Sequence, residues 1–108
     1  MSKAYTKWTC SICSNPIAWD ELFTYTSKKT VVHFDCMKRK AQENVGSSEA
    51  LNLALEALEE ELTSIVKYKS RINKVTDEEL KKLLENAEKD AEKNAALLTR
   101  AVERLGKL

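Results

Sequence analysis

The sequence predicts a mainly α chain in two parts, a small α+β finger followed by an antiparallel two-helix hairpin of coiled-coil type. Three observations predict it. All three cysteines and the single histidine fall into one run, Cys10-x2-Cys13 and, nineteen residues later, His33-x2-Cys36. Composition changes near residue 46: residues 49–108 hold Tyr68 as their only aromatic and are dominated by Ala, Leu, Glu and Lys. In that second stretch apolar residues recur with 4-3 spacing in two runs separated by a short connection, the pattern of helices that share a seam. The expected boundaries are a finger over residues 1–45 and a hairpin over 46–108, with Gly46-Ser47-Ser48 at the joint.

Three thiolates and one imidazole make a complete tetrahedral shell for zinc. Cys10, Cys13, His33 and Cys36 are therefore the predicted ligands of one structural Zn2+ ion. A disulfide would leave one cysteine stray, and the opening MSKAYTKWTC has no apolar signal core to imply an oxidising compartment, so the cytoplasm is the expected location. A redox CxxC has no use for the second ligand pair. Four protein ligands leave no open position for water, which argues against hydrolytic zinc chemistry and for a non-enzymatic role.

Within the finger, Cys10 to Pro16 reads as a zinc knuckle. Leu22–Thr26 alternates and is rich in β-formers, Ser27-Lys28-Lys29 reads as a turn, and Thr30-Val31-Val32 resumes strand character. His33-Phe34-Asp35-Cys36 then opens a helix expected to run to about Val45, with Gly46 ending it. Knuckle, hairpin and a helix carrying the last two ligands form a treble clef of CCHC type. A segment this short cannot bury enough apolar surface to fold securely alone. Trp8, Ile12, Trp19, Leu22, Phe23, Val32 and Phe34 are its expected core, and the ion supplies the rest of its stability.

The ligand spacing is similar to the first zinc-binding half of a LIM domain, although the chain has no ligands for a second half. With Leu22-Phe23-Thr24-Tyr25 and Val32-His33-Phe34-Asp35-Cys36, it also resembles a family of small, uncharacterised archaeal proteins that pair such a finger with a charged helical tail. The resemblance implies the finger and the tail; it implies no activity.

In the second part, Ser47 or Ser48 is expected to cap a helix over about 49–73, with a seam of Leu51, Leu55, Leu58, Leu62, Ile65 and Ile72. Thr76-Asp77-Glu78-Glu79 reads as a capping box with Thr76 as the cap and Val75/Leu80 as its staple. A second helix follows over about 77–106, with a seam of Leu80, Leu84, Ala87, Ala91, Asn94, Leu98, Ala101 and Leu105. The short connection makes the helices antiparallel and returns Leu97, Val102, Leu105 and Leu108 to the finger. Asn94 either fixes register as a buried amide or, more simply, lies at a solvated edge of the seam. Leu53, Val66, Leu83 and Leu97 lie off the seam, where they pack on the finger or form a surface for another chain.

Among 108 residues, two glycines and one proline suit an ordered, helical chain. No apolar run reaches a membrane-spanning length, and no glycine loop or catalytic constellation suggests a small-molecule substrate. A net charge of +1 does not announce a nucleic-acid binder. Even so, Lys28, Lys29, Lys38, Arg39 and Lys40, with Lys3 and Lys7 flanking Tyr5 and Trp8, are candidate nucleic-acid contacts. The leading expectation is an adaptor or accessory subunit that binds protein, or itself, through the hairpin. The alternative is a nucleic-acid-binding finger acting in replication, repair or transcription.

Overall fold

The computed structural model describes residues 8–46 and 48–108; the expectations resting on Lys3, Tyr5, Lys7 and Ser47 lie outside the described residues. Thr9 bridges Pro16, and the turn between them carries the first two cysteines. It is closed by the Cys10 amide donating to Asn15 O at 2.9 Å and the Ser14 amide donating to Cys10 O at 2.9 Å, with Ser14 in the left-handed region at φ 67°. Strands β1 (Phe23–Tyr25) and β2 (Val31–His33) form an antiparallel hairpin with Thr24 opposite Val32. Its turn is tied by the Thr26 amide on Thr30 O at 2.9 Å and by the two threonine hydroxyls at 2.6 Å, while Lys29 takes φ 64°. Helix α1 (Phe34–Val45) follows β2 without a break, so His33 is its N-cap and Cys36 lies in its first turn. Gly46, at φ 71°, ends it by donating to Gln42 O. Hairpin, helix and glycine stop lie where the sequence predicts them.

Helix α2 (Glu49–Lys74) is capped by Ser48, whose hydroxyl accepts from the Leu51 amide at 3.3 Å. Helix α3 (Glu78–Leu105) begins one residue later than a Thr76 cap requires. Asp77 is the cap, and its carboxylate accepts from the Leu80 amide at 2.7 Å. An ionised acceptor bonds more strongly than a hydroxyl and also meets the positive end of the helix dipole. The shift removes the Val75/Leu80 staple, and Leu80 is exposed. Residues 62–69 of α2 share a groove with residues 92–96 of α3, while Ile72 and Asn73 meet Glu88, so α3 runs back along α2. Helices of this length account for the 47 Å long dimension of the molecule, at ~1.5 Å rise per residue.

The α2 seam is buried as predicted in its first half, at Leu51, Leu55, Leu58 and Leu62, and half-buried at Ile65 and Ile72. The α3 seam is not as predicted. Ala91, Ala95, Thr99 and Val102 are buried, whereas Asn94 is exposed, as a solvated seam edge would be. The expected and observed stripes share Ala91 but then part by one residue, because the α3 face is chosen by the finger as well as by α2. Thr24 of β1 is buried against Thr99, with the hydroxyls 2.7 Å apart. Ser27 donates from its amide and its hydroxyl to the Glu103 carboxylate.

Buried residues from Cys10 to Val102 form one apolar cluster. Of the expected finger core, Val32 and Phe34 are buried, Leu22 and Phe23 half-buried, and Trp8, Ile12 and Trp19 exposed. Ile17, Met37 and Ala41 take the interior places instead. The large rings stay outside because Cys10 and Cys36, with Ile17 and Met37, already take the buried positions of so small a finger. The far end of α3 returns to α1. Asn44 donates to Gly106 O at 3.0 Å and Lys107 O at 3.1 Å. A side chain on Gly106 would meet Ala41 Cβ at 2.5 Å and Val102 O at 2.9 Å, so only glycine allows this approach. Val102 is buried, and Leu105 and Leu108 pack on the core, while Leu97 stays exposed.

The Thr99 hydroxyl donates to Ala95 O at 2.8 Å. With its one proton committed, Thr99 accepts from Thr24. Thr99→Val therefore leaves a buried donor without an acceptor and is expected to destabilise the fold by about 1–3 kcal/mol. The Thr24→Val/Thr99→Val double variant regains most of that loss. Urea unfolding of the two singles and the double, read as a double-mutant cycle, checks the pairing.

Candidate metal centre

The four sequence-predicted ligands come together. Sγ of Cys10, Cys13 and Cys36 and a ring nitrogen of His33 lie within 4.8 Å of one another. The His33 Nδ1 atom is 3.4 Å from Cys13 Sγ and 3.8 Å from Cys36 Sγ. Tetrahedral bonds of ~2.3 Å to sulfur and ~2.0 Å to nitrogen place neighbouring donors roughly 3.5–3.8 Å apart. The spacing fits one ion held by three sulfurs and one nitrogen.

Two local structures bring the ligands together. The knuckle turn holds Cys10 inside and leaves Cys13 exposed. The junction of β2 with α1 supplies His33 and Cys36, separated by one helical turn. The two are joined at Cys10, whose sulfur accepts the amides of Ile12 at 3.4 Å, Cys13 at 3.5 Å and His33 at 3.4 Å. Burial opposes ionisation of this thiol, but the three amides and His33 outweigh it and lower its pKa to about 6. Burial, and then the sulfurs of Cys13 and Cys10, push the Cys36 thiol up to about 12. For His33, burial works against the imidazolium, but contacts with Cys10 and Cys13 win and raise its pKa. Without an ion, Cys10 is thus the favoured thiolate, and a cation binding here would displace the Cys36 proton.

Glu21 completes the site. Its carboxylate lies 3.4 Å from His33 Nε2 and accepts from the Ala18 amide at 2.7 Å. The ring therefore presents Nδ1 to the sulfurs and Nε2–H to a carboxylate, the arrangement that fixes the tautomer of a metal-binding histidine. Sequence reasoning missed Glu21. The pairing of Phe23 with His33 is the signal that places a residue just before β1 beside the ring.

Lys28 and Lys29 are exposed at the hairpin turn, and Arg39 and Lys40 are exposed on α1. Lys38 is half-buried and lines a cleft with Glu56 and Glu59 of α2. Among the described residues, no helix is long and apolar enough to cross a membrane.

Titration of the reduced apoprotein with cobalt(II) is expected to saturate at one ion per chain with intense thiolate-to-metal absorption. Glu21→Ala is expected to weaken that binding by about ten-fold, the scale of a lost outer-shell partner, with the stoichiometry unchanged.

Residues 6–104 match the family model described as an uncharacterized protein conserved in archaea, DUF2175. No curated protein and no solved structure matches the chain. The match spans the ligand cluster and the three helices but for the last residue of α3, and the chain belongs to this archaeal family.

Proposed function

We propose that this chain is a non-enzymatic zinc-binding adaptor or accessory subunit that mediates protein–protein contact within a larger assembly. The observation that carries the reading is the donor set. Three sulfurs and one imidazole, with Glu21 behind the imidazole, are a closed shell for zinc and leave no position for a reacting water. The ion then organises a treble-clef finger and serves structure rather than chemistry. An antiparallel coiled-coil hairpin of α2 and α3 carries the finger, and exposed leucines at 53, 83 and 97 offer surfaces to a partner or to a second copy.

Tagged full-length protein, recovered from its native cells and washed at high salt, is expected to retain zinc and a protein partner in fixed ratio. Cys36→Ser is expected to lose both. A chain that retains no protein and remains a monomer by light scattering at high micromolar concentration contradicts the adaptor reading.

Direct contact of the finger with nucleic acid is the second reading, supported by the exposed Lys28/Lys29 turn and the exposed Arg39 and Lys40. It predicts salt-dependent binding of DNA or RNA that falls by at least ~ten-fold when Lys28 and Lys29 become alanine, as two lost phosphate contacts would produce at low salt. Absence of binding at 50 mM salt, on the order used in such assays, rejects it.

A further inference from the structure

The hydrogen-bond parity of the hairpin leaves one edge open. Leu22 O accepts from the Phe34 amide, the Thr26 amide donates to Thr30 O, and Thr24 stands opposite Val32. Residues 22, 24 and 26 therefore turn their backbone groups toward β2, and Phe23 and Tyr25 turn theirs away. The outer edge of β2 is closed by the knuckle, since Val31 O accepts from the Ser11 amide and the His33 amide donates to Cys10 Sγ. Among the described residues, the outer edge of β1 has no such cover. Among the described residues, nothing pairs with the backbone groups of Phe23 and Tyr25.

That edge borders a groove of about 430 Å³. Phe23, Thr24 and Tyr25 all line it, although successive side chains of a strand point to opposite faces, so the strand presents its edge. The opposite wall is apolar and includes Leu62, Ile65, Val66 and Ala96. The charged lining is Glu21, Glu92 and Lys69, and the Lys69 ammonium already lies 5.9 Å over the Phe23 ring. Burial and then Glu92 push the neighbouring Glu88 carboxyl above its ordinary range, against the pull of Lys69. The groove therefore has an excess of acid and an aromatic face that accepts a cation.

From these features we infer that the groove docks a short extended segment of a partner protein, with apolar residues alternating with Lys or Arg, added to β1 as a third strand. The main chain of the segment pairs with Phe23 and Tyr25, its apolar side chains meet the α2–α3 wall, and its basic side chains meet Glu21 and Glu92. The inference rests on the adaptor reading and names the surface and the partner chemistry that the reading leaves open. A three-residue edge takes a segment roughly 10 Å long, at ~3.3 Å per residue.

The test is selection of peptides from a random display library on the zinc-loaded full chain, followed by synthesis of the enriched sequences. Enriched peptides are expected to alternate apolar residues with Lys or Arg, and to slow hydrogen exchange at the Phe23 and Tyr25 amides by at least ~ten-fold, as a new strand pairing does. Ala96→Trp, a change at an exposed position that fills the groove, is expected to weaken binding by about ten-fold or more, the equivalent of ~1.4 kcal/mol. Glu92→Lys is expected to weaken it less, and to remove the preference for basic over acidic peptides. Enrichment of acidic or non-alternating peptides overturns the inference, and so does an empty selection. Peptides that bind the Ala96→Trp chain unchanged, or a native partner retained by that chain, overturn the inference while leaving the adaptor reading intact. Protection of Phe23 and Tyr25 without peptide also overturns it, since the occupant is then the chain itself or, if dilution removes the protection, a second copy.

Discussion

Cys10 Sγ accepts three amide hydrogen bonds from two places far apart in the chain, its own knuckle turn and the end of β2. Among the described residues, no other side chain joins these two parts of the finger in that way. The sulfur is fully buried, and a buried anion without donors would be expensive, so the turn must close on it and β2 must bring its His33 amide to it. Once both have done so, His33 and Cys36 are carried into position by the start of α1. The geometry of the remaining ligands follows from the placement of this one. An ion at the centre would offset the repulsion among the thiolates that the protein has gathered.

The hairpin serves two neighbours at once. Its β2 side belongs to the ligand cluster, and its Thr24 face belongs to α3. The Thr24–Thr99 bond crosses most of the sequence, and the Ser27–Glu103 contacts repeat the connection at the turn. The Asn44 and Gly106 contacts make a second join between α1 and the end of α3. The metal centre and the helical pair are thus mechanically coupled through short polar contacts at the borders of one apolar cluster. Polar pairs of this kind add little net energy when made and cost more when broken, so they select one seating of the finger over its near neighbours.

Features set by local spacing were legible in the sequence. Two ligand pairs, each spaced by two residues, announce themselves, and so do the Gly46 stop and the leucine stripe of α2. The phase of α3 was not legible. The expected stripe runs through Asn94, Leu98 and Ala101, and the observed one, a residue further on each time, through Ala95, Thr99 and Val102, with Ala91 common to both. Apolar content alone does not separate them; the choice is made by β1, which draws in Thr99, a polar residue that no hydrophobic pattern selects. Trp8 and Trp19 misled for the opposite reason. Large apolar residues are ordinarily interior, but a finger organised around a ligand cluster has little interior to give them. The Asp77 cap shows the limit of motif reading: Thr76 completes a capping box with Glu79 and Asp77, followed three residues on by Leu80, does not, yet Asp77 is the cap.

The distance in sequence between Cys36 and Thr99 orders events in the cell. Ribosomes release about 5–20 residues each second, so all four candidate ligands emerge some seconds before α3 exists. A finger closing on an ion at that moment would be a template in place before α3 arrives. A chain starved of its ion during synthesis would make two sound helices with nothing to close upon, a defect that supplying the ion later would have to repair against a finished and misplaced partner.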